Sequence, residues 1–408
     1  MNILLINHYA GSLIHGMEYR PFYMSREWVR AGHKVTIAAA SHSHVRSKPP
    51  TMTGDVTEEE IEGVNYLWFR TPSYKRNGLK RAVNMFAFVR QLRRYRTMLS
   101  SHCRDGAVIA SSTYPLDVLP AKRIAREGSA KLVFEVHDLW PLSPIELGGM
   151  PRWHPFIAVL QWAEDFAYQN ADTIISMLPK AEPYMLSHGL AKGKFVHIPN
   201  GIDATEWVDD AALPPQYQAV FAAARDRGHA TILYAGAHGV ANALDSLIKA
   251  AHLLRDRPVT TILVGQGPEK ARLERITAEL GLKNVVFLPP VKKSLMPALL
   301  RLSDLLIISL QRCPLFRFGV SPNKLIDYMM AGRPIIHAIA AGNDMVRDAG
   351  CGLSVPPEDP QAIADAALRI IALSPRQREE MGARAKAYVL KSHEYRILGA
   401  KFLHVLET

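Results

Sequence analysis

Apolar residues along this chain fall in short runs, and the runs alternate with helical patterns. Residues 3–6, 35–39, 64–69, 107–110, 132–136, 173–176 and 194–198 have the length and β-branched content of buried strands. Between the first two, residues 18–31 repeat apolar positions at helical spacing, and Gly32 closes that helix. The pattern breaks over residues 204–228, which hold Trp207-Val208-Asp209-Asp210 and Pro214-Pro215 and no strand signal. Strand-like runs return at 231–234, 260–264, 285–288, 305–309 and 334–337, and a helical tail spans 377–407. Strand–helix alternation predicts parallel sheets covered by helices on both faces. The fold class is therefore α/β, with two Rossmann-like doubly wound domains over 1–204 and 205–376, followed by a helical segment over 377–408.

At 408 residues the chain is too long for one ordinary core, which agrees with two domains. The formal charge of +11 points to anionic partners: nucleic acid, anionic lipid or a phosphorylated substrate. Cys103, Cys313 and Cys351 are the only cysteines, and none has metal-ligand spacing, so a reducing cytosol fits. No run reaches the ~18 apolar residues of a membrane span, so any membrane role is expected at the surface.

In open parallel sheets, ligands bind beyond the carboxyl ends of strands. The segment Ser321-Pro322-Asn323-Lys324 leads from a loop into a helix that Gly332 and Pro334 end. A helix N-terminus favours phosphate, Lys324 adds charge beside it, and Asp327 one turn on can accept from hydroxyl groups. Phosphate donors next to a hydroxyl acceptor suggest a sugar nucleotide. Gly236, His238 and Gly239 follow one strand and Gly265 the next, so backbone amides there are open to a ligand; each could equally be a plain turn. The loop after the first strand holds His15, Gly16, Glu18 and Arg20, but not the G-x-G-x-x-G dinucleotide fingerprint. His137-Asp138 leaves a strand end, where a histidine can orient a hydroxyl or move a proton. No Asp-x-Asp motif is present, so no metal is expected to hold a diphosphate.

Residues 70–104 carry ten Lys and Arg and no Asp or Glu. Met85, Phe88, Val89, Leu92, Tyr95 and Leu99 share one helical face, with Arg90, Arg93 and Arg94 opposite. This reads either as a core-packed helix with a solvated basic side or as a dock for anionic lipid. No helix-turn-helix or aromatic platform supports nucleic acid.

Together these motifs resemble the retaining family-4 glycosyltransferases of GT-B fold over nearly the whole chain. The matching residues are Met17 through Val35, His137-Asp138, Ile198-Pro199-Asn200-Gly201-Ile202-Asp203, Val264-Gly265-Gln266-Gly267-Pro268 and Lys324 through Pro334. The subgroup it is most similar to contains bacterial O-antigen and capsule enzymes that transfer amino-deoxy sugars of the L-fucosamine type. The resemblance implies two domains facing a cleft, with the tail crossing back to the first. It implies no cofactor, a nucleotide-sugar donor, UDP-linked by expectation, and an undecaprenyl-diphosphate-linked acceptor at the inner face of the cytoplasmic membrane. It assigns His137, Asp138 and Lys324 to catalysis. Gly236, His238, Gly239, Gly265, Ser321, Pro322, Asn323, Lys324 and Asp327 fall to the donor; His15, Gly16, Glu18 and Arg20 fall to the acceptor. This chain departs from the family pattern in three places. Gly319 stands where a first glutamate is common, and Ala237 and Asn242 stand where an arginine and a lysine grip the diphosphate. Those departures keep a non-catalytic nucleotide-binding scaffold open as a rival; a sugar-nucleotide 2-epimerase is a second rival because it shares the architecture, although the set of acid–base carboxylates it needs is not found in the sequence.

Overall fold

The computed structural model describes residues 1–74, 78–207 and 212–408. Lys75 and Arg76 of the basic stretch, and Val208, Asp209 and Asp210 of the break, lie outside the described residues. The chain divides into two compact units. The first holds Met1–Gly201, Phe318–Val320 and Tyr395–Thr408; the second holds Ile202–Arg317 and Ser321–Glu394.

In the first unit the strands are β1 (Asn2–Ile6), β2 (Lys34–Ala40), β3 (Val56–Ile61), β4 (Val64–Phe69), β5 (Ala107–Ala110), β6 (Lys131–Val136), β7 (Thr173–Ser176) and β8 (Phe195–His197). They form one sheet in the order β3-β4-β2-β1-β5-β6-β7-β8. All pairs are parallel except β3 with β4. β3 has no counterpart among the strands expected from sequence. Its residues Val56-Thr57-Glu58-Glu59-Glu60-Ile61 are mostly polar because it is a half-exposed edge, where charges guard unpaired backbone. The helices are α1 (Arg20–Arg30), α2 (Leu79–Arg94), α3 (Arg96–Ser101), α4 (Val118–Glu127), α5 (Leu142–Glu146), α6 (Pro155–Asn170) and α7 (Glu182–Ser187).

The second unit has β9 (Ala230–Ala235), β10 (Val259–Val264), β11 (Val285–Leu288), β12 (Leu305–Ser309), β13 (Ile335–Ala338) and β14 (Gly352–Ser354) in the order β11-β10-β9-β12-β13-β14, all parallel. Its helices are α8 (Pro215–Asp226), α9 (Leu244–Leu253), α10 (Lys270–Glu279), α11 (Met296–Arg301), α12 (Asn323–Met330), α13 (Met345–Ala349), α14 (Pro360–Ile371) and α15 (Pro375–Ser392). Buried Ile, Leu and Val from β9, β10, β12 and β13 are shared between two cores, one on each face of the sheet. This is the reason such strands read as continuous apolar runs rather than as alternating ones.

The tail departs from the expectation that all of 377–408 returns to the first unit. α15 stays with the second unit, burying Ala385 and Val389 in its core. A Cβ on Gly382 would lie 1.9 Å from the Gly332 carbonyl oxygen, so α15 and the end of α12 touch backbone to backbone. Only the last helix, α16 (Tyr395–Glu407), belongs to the first unit. There Tyr395 stacks on Tyr23, Phe402 packs on Trp28, and Trp28 Nε1 donates to the Gly399 carbonyl at 3.2 Å.

Candidate functional site

In the second unit, the loops after β9 and β10 meet with no side chain between them. A Cβ on Gly265 would stand 1.9 Å from the Gly236 carbonyl oxygen, and one on Gly236 would stand 2.5 Å from Lys324 Cε. Glycine at both positions lets the Lys324 side chain lie across the end of β9. Its Nζ donates to Tyr234 Oη at 2.6 Å and Asn242 Oδ1 at 3.0 Å, and rests 4.2 Å from the centre of the Tyr234 ring. Tyr234 in turn donates to the Ala237 carbonyl at 2.8 Å. Asn242 stands at one of the two positions where the resemblance expects a basic residue. Here it accepts a hydrogen bond from Lys324. Burial pushes the Lys324 ammonium down to about 7.

Lys324 lies in the first turn of α12. No side chain caps this helix; Pro322 is the capping residue and Asn323, exposed, is the first helical one. The free N–H groups there are a natural anion site. Ser321 and Pro322 are half-buried beside it, and Gly239 is half-buried at the start of the turn that carries Asn242. Asp327 is half-buried one turn further on, and burial pushes its carboxyl up to about 7. Tyr328 anchors the helix: its hydroxyl accepts from Ala235 N–H at 2.7 Å and donates to the Ala235 carbonyl at 3.1 Å.

His238 differs from the expectation. It is 0% exposed, and neither ring nitrogen has a hydrogen-bond partner. Burial, with Lys270 and Lys324 nearby, pushes it down to about 4, so it is neutral. Its backbone N–H donates to the Gln266 carbonyl and its carbonyl accepts from Glu269 N–H. The structure therefore places the His238 ring against the glycine loops, its Nε2 3.0 Å from where a Cβ on Gly265 would stand.

In the first unit, Glu135 organises a buried network that the motifs did not single out. Arg20 Nε and an Arg20 terminal nitrogen donate to Glu135 Oε1 at 3.0 and 2.8 Å, and Arg20 also donates to the carbonyls of Ile198 and Pro199. Ser111 Oγ donates to Glu135 Oε2 at 2.6 Å and lies 2.9 Å from His137 Nε2, which is itself 3.4 Å from that carboxyl. Burial alone would push the Glu135 carboxyl up. The Arg20 guanidinium and the bonds from His137 and Ser111 outweigh it and hold the carboxyl well below the usual carboxylate range. His137 is thus oriented by Ser111 and Glu135, while Asp138 beside it is exposed. Glu18 is half-buried nearby, its carboxyl pushed up by burial against the opposing pull of His137 and Arg20.

Arg20, expected at an acceptor, is instead 1% exposed and fully engaged. His15 is likewise 2% exposed, its ring bonded to Ser12 Oγ at 2.9 Å and packed on Trp68. Gly16 N–H donates back to the Ser12 carbonyl at 2.8 Å. These three shape the loop rather than present groups to a ligand. Arg90 and Arg93 are exposed on α2; Arg94 is exposed but pairs with Asp55 at 3.0 Å. The face opposite the arginines, with Met85, Phe88, Val89 and Leu92, is buried.

The sequence profile described as "Glycosyl transferase 4-like domain" matches residues 15–201, and the one described as "Glycosyl transferases group 1" matches residues 229–372. The chain belongs to the family-4 glycosyltransferases. A relative of this glycosyltransferase, named colanic acid biosynthesis glycosyl transferase WcaI, from Escherichia coli K12, is 25% identical over 86% of this chain and 89% of its own. Among solved structures, sucrose-phosphate synthase from Thermosynechococcus elongatus superposes with a TM-score of 0.72 at 16% identity, covering 99% of this chain and 97% of that one. HepE from Anabaena, in complex with UDP and glucose, gives 0.70 at 15% identity over 100% of both chains. The fold of this glycosyltransferase is thus the GT-B fold. Among its described residues no helix is long and apolar enough to cross a membrane.

Proposed function

We propose that this glycosyltransferase is a retaining, metal-independent enzyme of surface-polysaccharide assembly. It moves a sugar, with amino-deoxy sugars among the candidates, from a UDP-linked donor to an undecaprenyl-diphosphate-linked saccharide at the inner face of the cytoplasmic membrane. The relative named for colanic acid biosynthesis supports the process, and the HepE complex with UDP supports the nucleotide. The stereochemistry and the lipid carrier rest on the resemblance. The observation that carries the reading is Lys324, held between Tyr234 and Asn242 at an uncapped helix N-terminus, with Asp327 one turn on.

In this mechanism the bond between the anomeric carbon and the diphosphate oxygen breaks. The acceptor hydroxyl oxygen takes the sugar, and its proton leaves with the nucleoside diphosphate. Charge grows on the diphosphate as the bond breaks, and Lys324 with the α12 amides is placed to stabilise it. Asp327 accepts from the ribose hydroxyls. His137, fixed by Ser111 and Glu135, is the side chain of the first unit that the resemblance assigns to catalysis.

The test is a thermal-shift screen over UDP-, GDP- and dTDP-sugars. Mass spectrometry then follows transfer to a short-chain polyprenyl-diphosphate saccharide. UDP-sugars should stabilise the protein, and the acceptor should gain one sugar. Conversion of the donor to an isomer without acceptor would make the protein an epimerase. Binding with no turnover would make it a scaffold.

A further inference from the structure

The face of the first unit that carries α2, α4 and α6 differs from an ordinary solvated surface. α2 buries one apolar stripe, yet Leu79, Val83 and Phe86 on its opposite side are also apolar and are 86, 56 and 47% exposed. At spacings of four, three and four residues they continue into Arg90, so one outward stripe runs from apolar to basic. α6 repeats the arrangement. Pro155, Ala158, Val159 and Trp162 all point outward, and Trp153 just before the helix is 81% exposed. Inward residues of the two helices, Met85, Val89, Leu160 and Ala163, share one core, so their outward stripes belong to one face.

A groove of about 700 Å³ opens on this face, lined by Arg93, Arg96, Lys122, Arg123, Arg126 and Trp162. Arg96 is paired with Glu127 at 2.9 Å, and Lys122 is bonded to Asn170. Arg93, Arg123 and Arg126 are exposed, and none meets a carboxylate within ion-pair distance among the described residues. A surface with this much unmatched positive charge beside bare tryptophans suits a boundary between water, phosphate and hydrocarbon. Aliphatic Leu79 and Val83 beside these aromatic rings suit acyl chains.

We propose that the α2–α4–α6 face seats on an anionic bilayer, with the groove holding a lipid phosphate and Phe86, Trp153 and Trp162 entering the headgroup layer. The inference deepens the membrane reading above and rests on it, but it needs neither the donor nor the sugar assignments. It also moves the basic contact from α2 alone to α2, α3 and α4. Arg94, tied to Asp55, is not part of it.

The experiment is co-sedimentation of the full chain with phosphatidylcholine vesicles, with and without phosphatidylglycerol. A parallel arm measures quenching of tryptophan fluorescence by bromine-labelled acyl chains. The wild type should bind anionic vesicles and be quenched. The charge variant Arg93→Gln/Arg123→Gln/Arg126→Gln should bind them more weakly by roughly tenfold or more, since each basic residue near an anionic surface adds ~1 kcal/mol. The apolar variant Phe86→Ser/Trp162→Ser should lose both quenching and binding. All five positions are on the surface, so folding is retained, and transfer to a water-soluble acceptor should match wild type. Wild-type binding that ignores phosphatidylglycerol overturns the proposal, as does inorganic diphosphate displacing the vesicles completely. If vesicle binding behaves as expected while no sugar is transferred, the functional reading falls and this one stands.

Discussion

Lys324 and Asp327 sit one turn apart on α12 and face opposite problems of solvation. Burial brings the lysine down and the aspartate up, both to about 7. For Asp327 the folded value lies above its ordinary 3.8, so the folded state binds the proton more tightly. Its contribution to stability is complete below that ordinary value and is lost as pH rises through about 7. Asp327→Asn should therefore raise the melting temperature at about pH 8 by roughly 2–4 °C for each kcal/mol recovered, and change it little at about pH 4. The same change removes a charged acceptor whose hydrogen bonds contribute roughly 1.5–3 kcal/mol, so donor affinity should fall about ten- to a hundredfold. A variant that gains stability and keeps its affinity would remove Asp327 from the ribose site. Lys324 must be protonated to meet a diphosphate, so kcat/KM for the donor should fall as pH rises above about 7. Tyr234→Phe takes away an oxygen that favours the ammonium form and should move that limb to lower pH. A purely structural tyrosine would leave the limb where it is.

At the scale of elements, the strand pattern was largely legible, because parallel strands buried on both faces need unbroken apolar runs. β4, β5, β7, β11 and β12 fall on the residues their apolar runs predict. β3 escaped because an edge strand with three glutamates lacks that signal, and β14 because three residues carry no periodicity. The break between α15 and α16 falls at His393 and Glu394, with neither glycine nor proline to mark it. Among candidate site residues, the motif segment around α12 could be read because proline, lysine and aspartate have position-specific chemistry there. His15, Arg20 and His238 could not be sorted by motif, since only packing shows that their side chains face inward. Glu135 did leave a signal: a lone carboxylate in an apolar strand, two residues before His137 and so on the same side of it. Glu135→Gln should uncover its importance. It leaves Arg20 buried without a counter-charge, and breaking such a pair costs about 3–5 kcal/mol. Chemical denaturation should show that loss, whereas Ser111→Ala should keep most of the stability and slow transfer by loosening His137.

At the scale of the whole molecule, the excess of basic residues raises the question of what neutralises a sugar nucleotide's diphosphate. Many phosphate-binding proteins use a divalent cation held by carboxylates. Among the described residues no group of three or more His, Cys, Asp or Glu is placed to hold one. The second unit brings Lys324 and the first backbone amides of α12 to one helix end, and burial keeps the lysine partly desolvated. Desolvation strengthens its attraction to the growing charge and weakens its grip on a proton, so the same burial serves binding and sets the pH limit. If these groups suffice, treatment with EDTA should leave turnover within about twofold, because removing one electrostatic stabiliser costs roughly a hundredfold or more. Lys324→Ala should then lower kcat by about that larger factor, more than it raises donor KM, since the charge it meets is greatest in the transition state. Turnover that collapses in EDTA and returns with magnesium would assign the diphosphate to a metal and leave Lys324 a supporting contact.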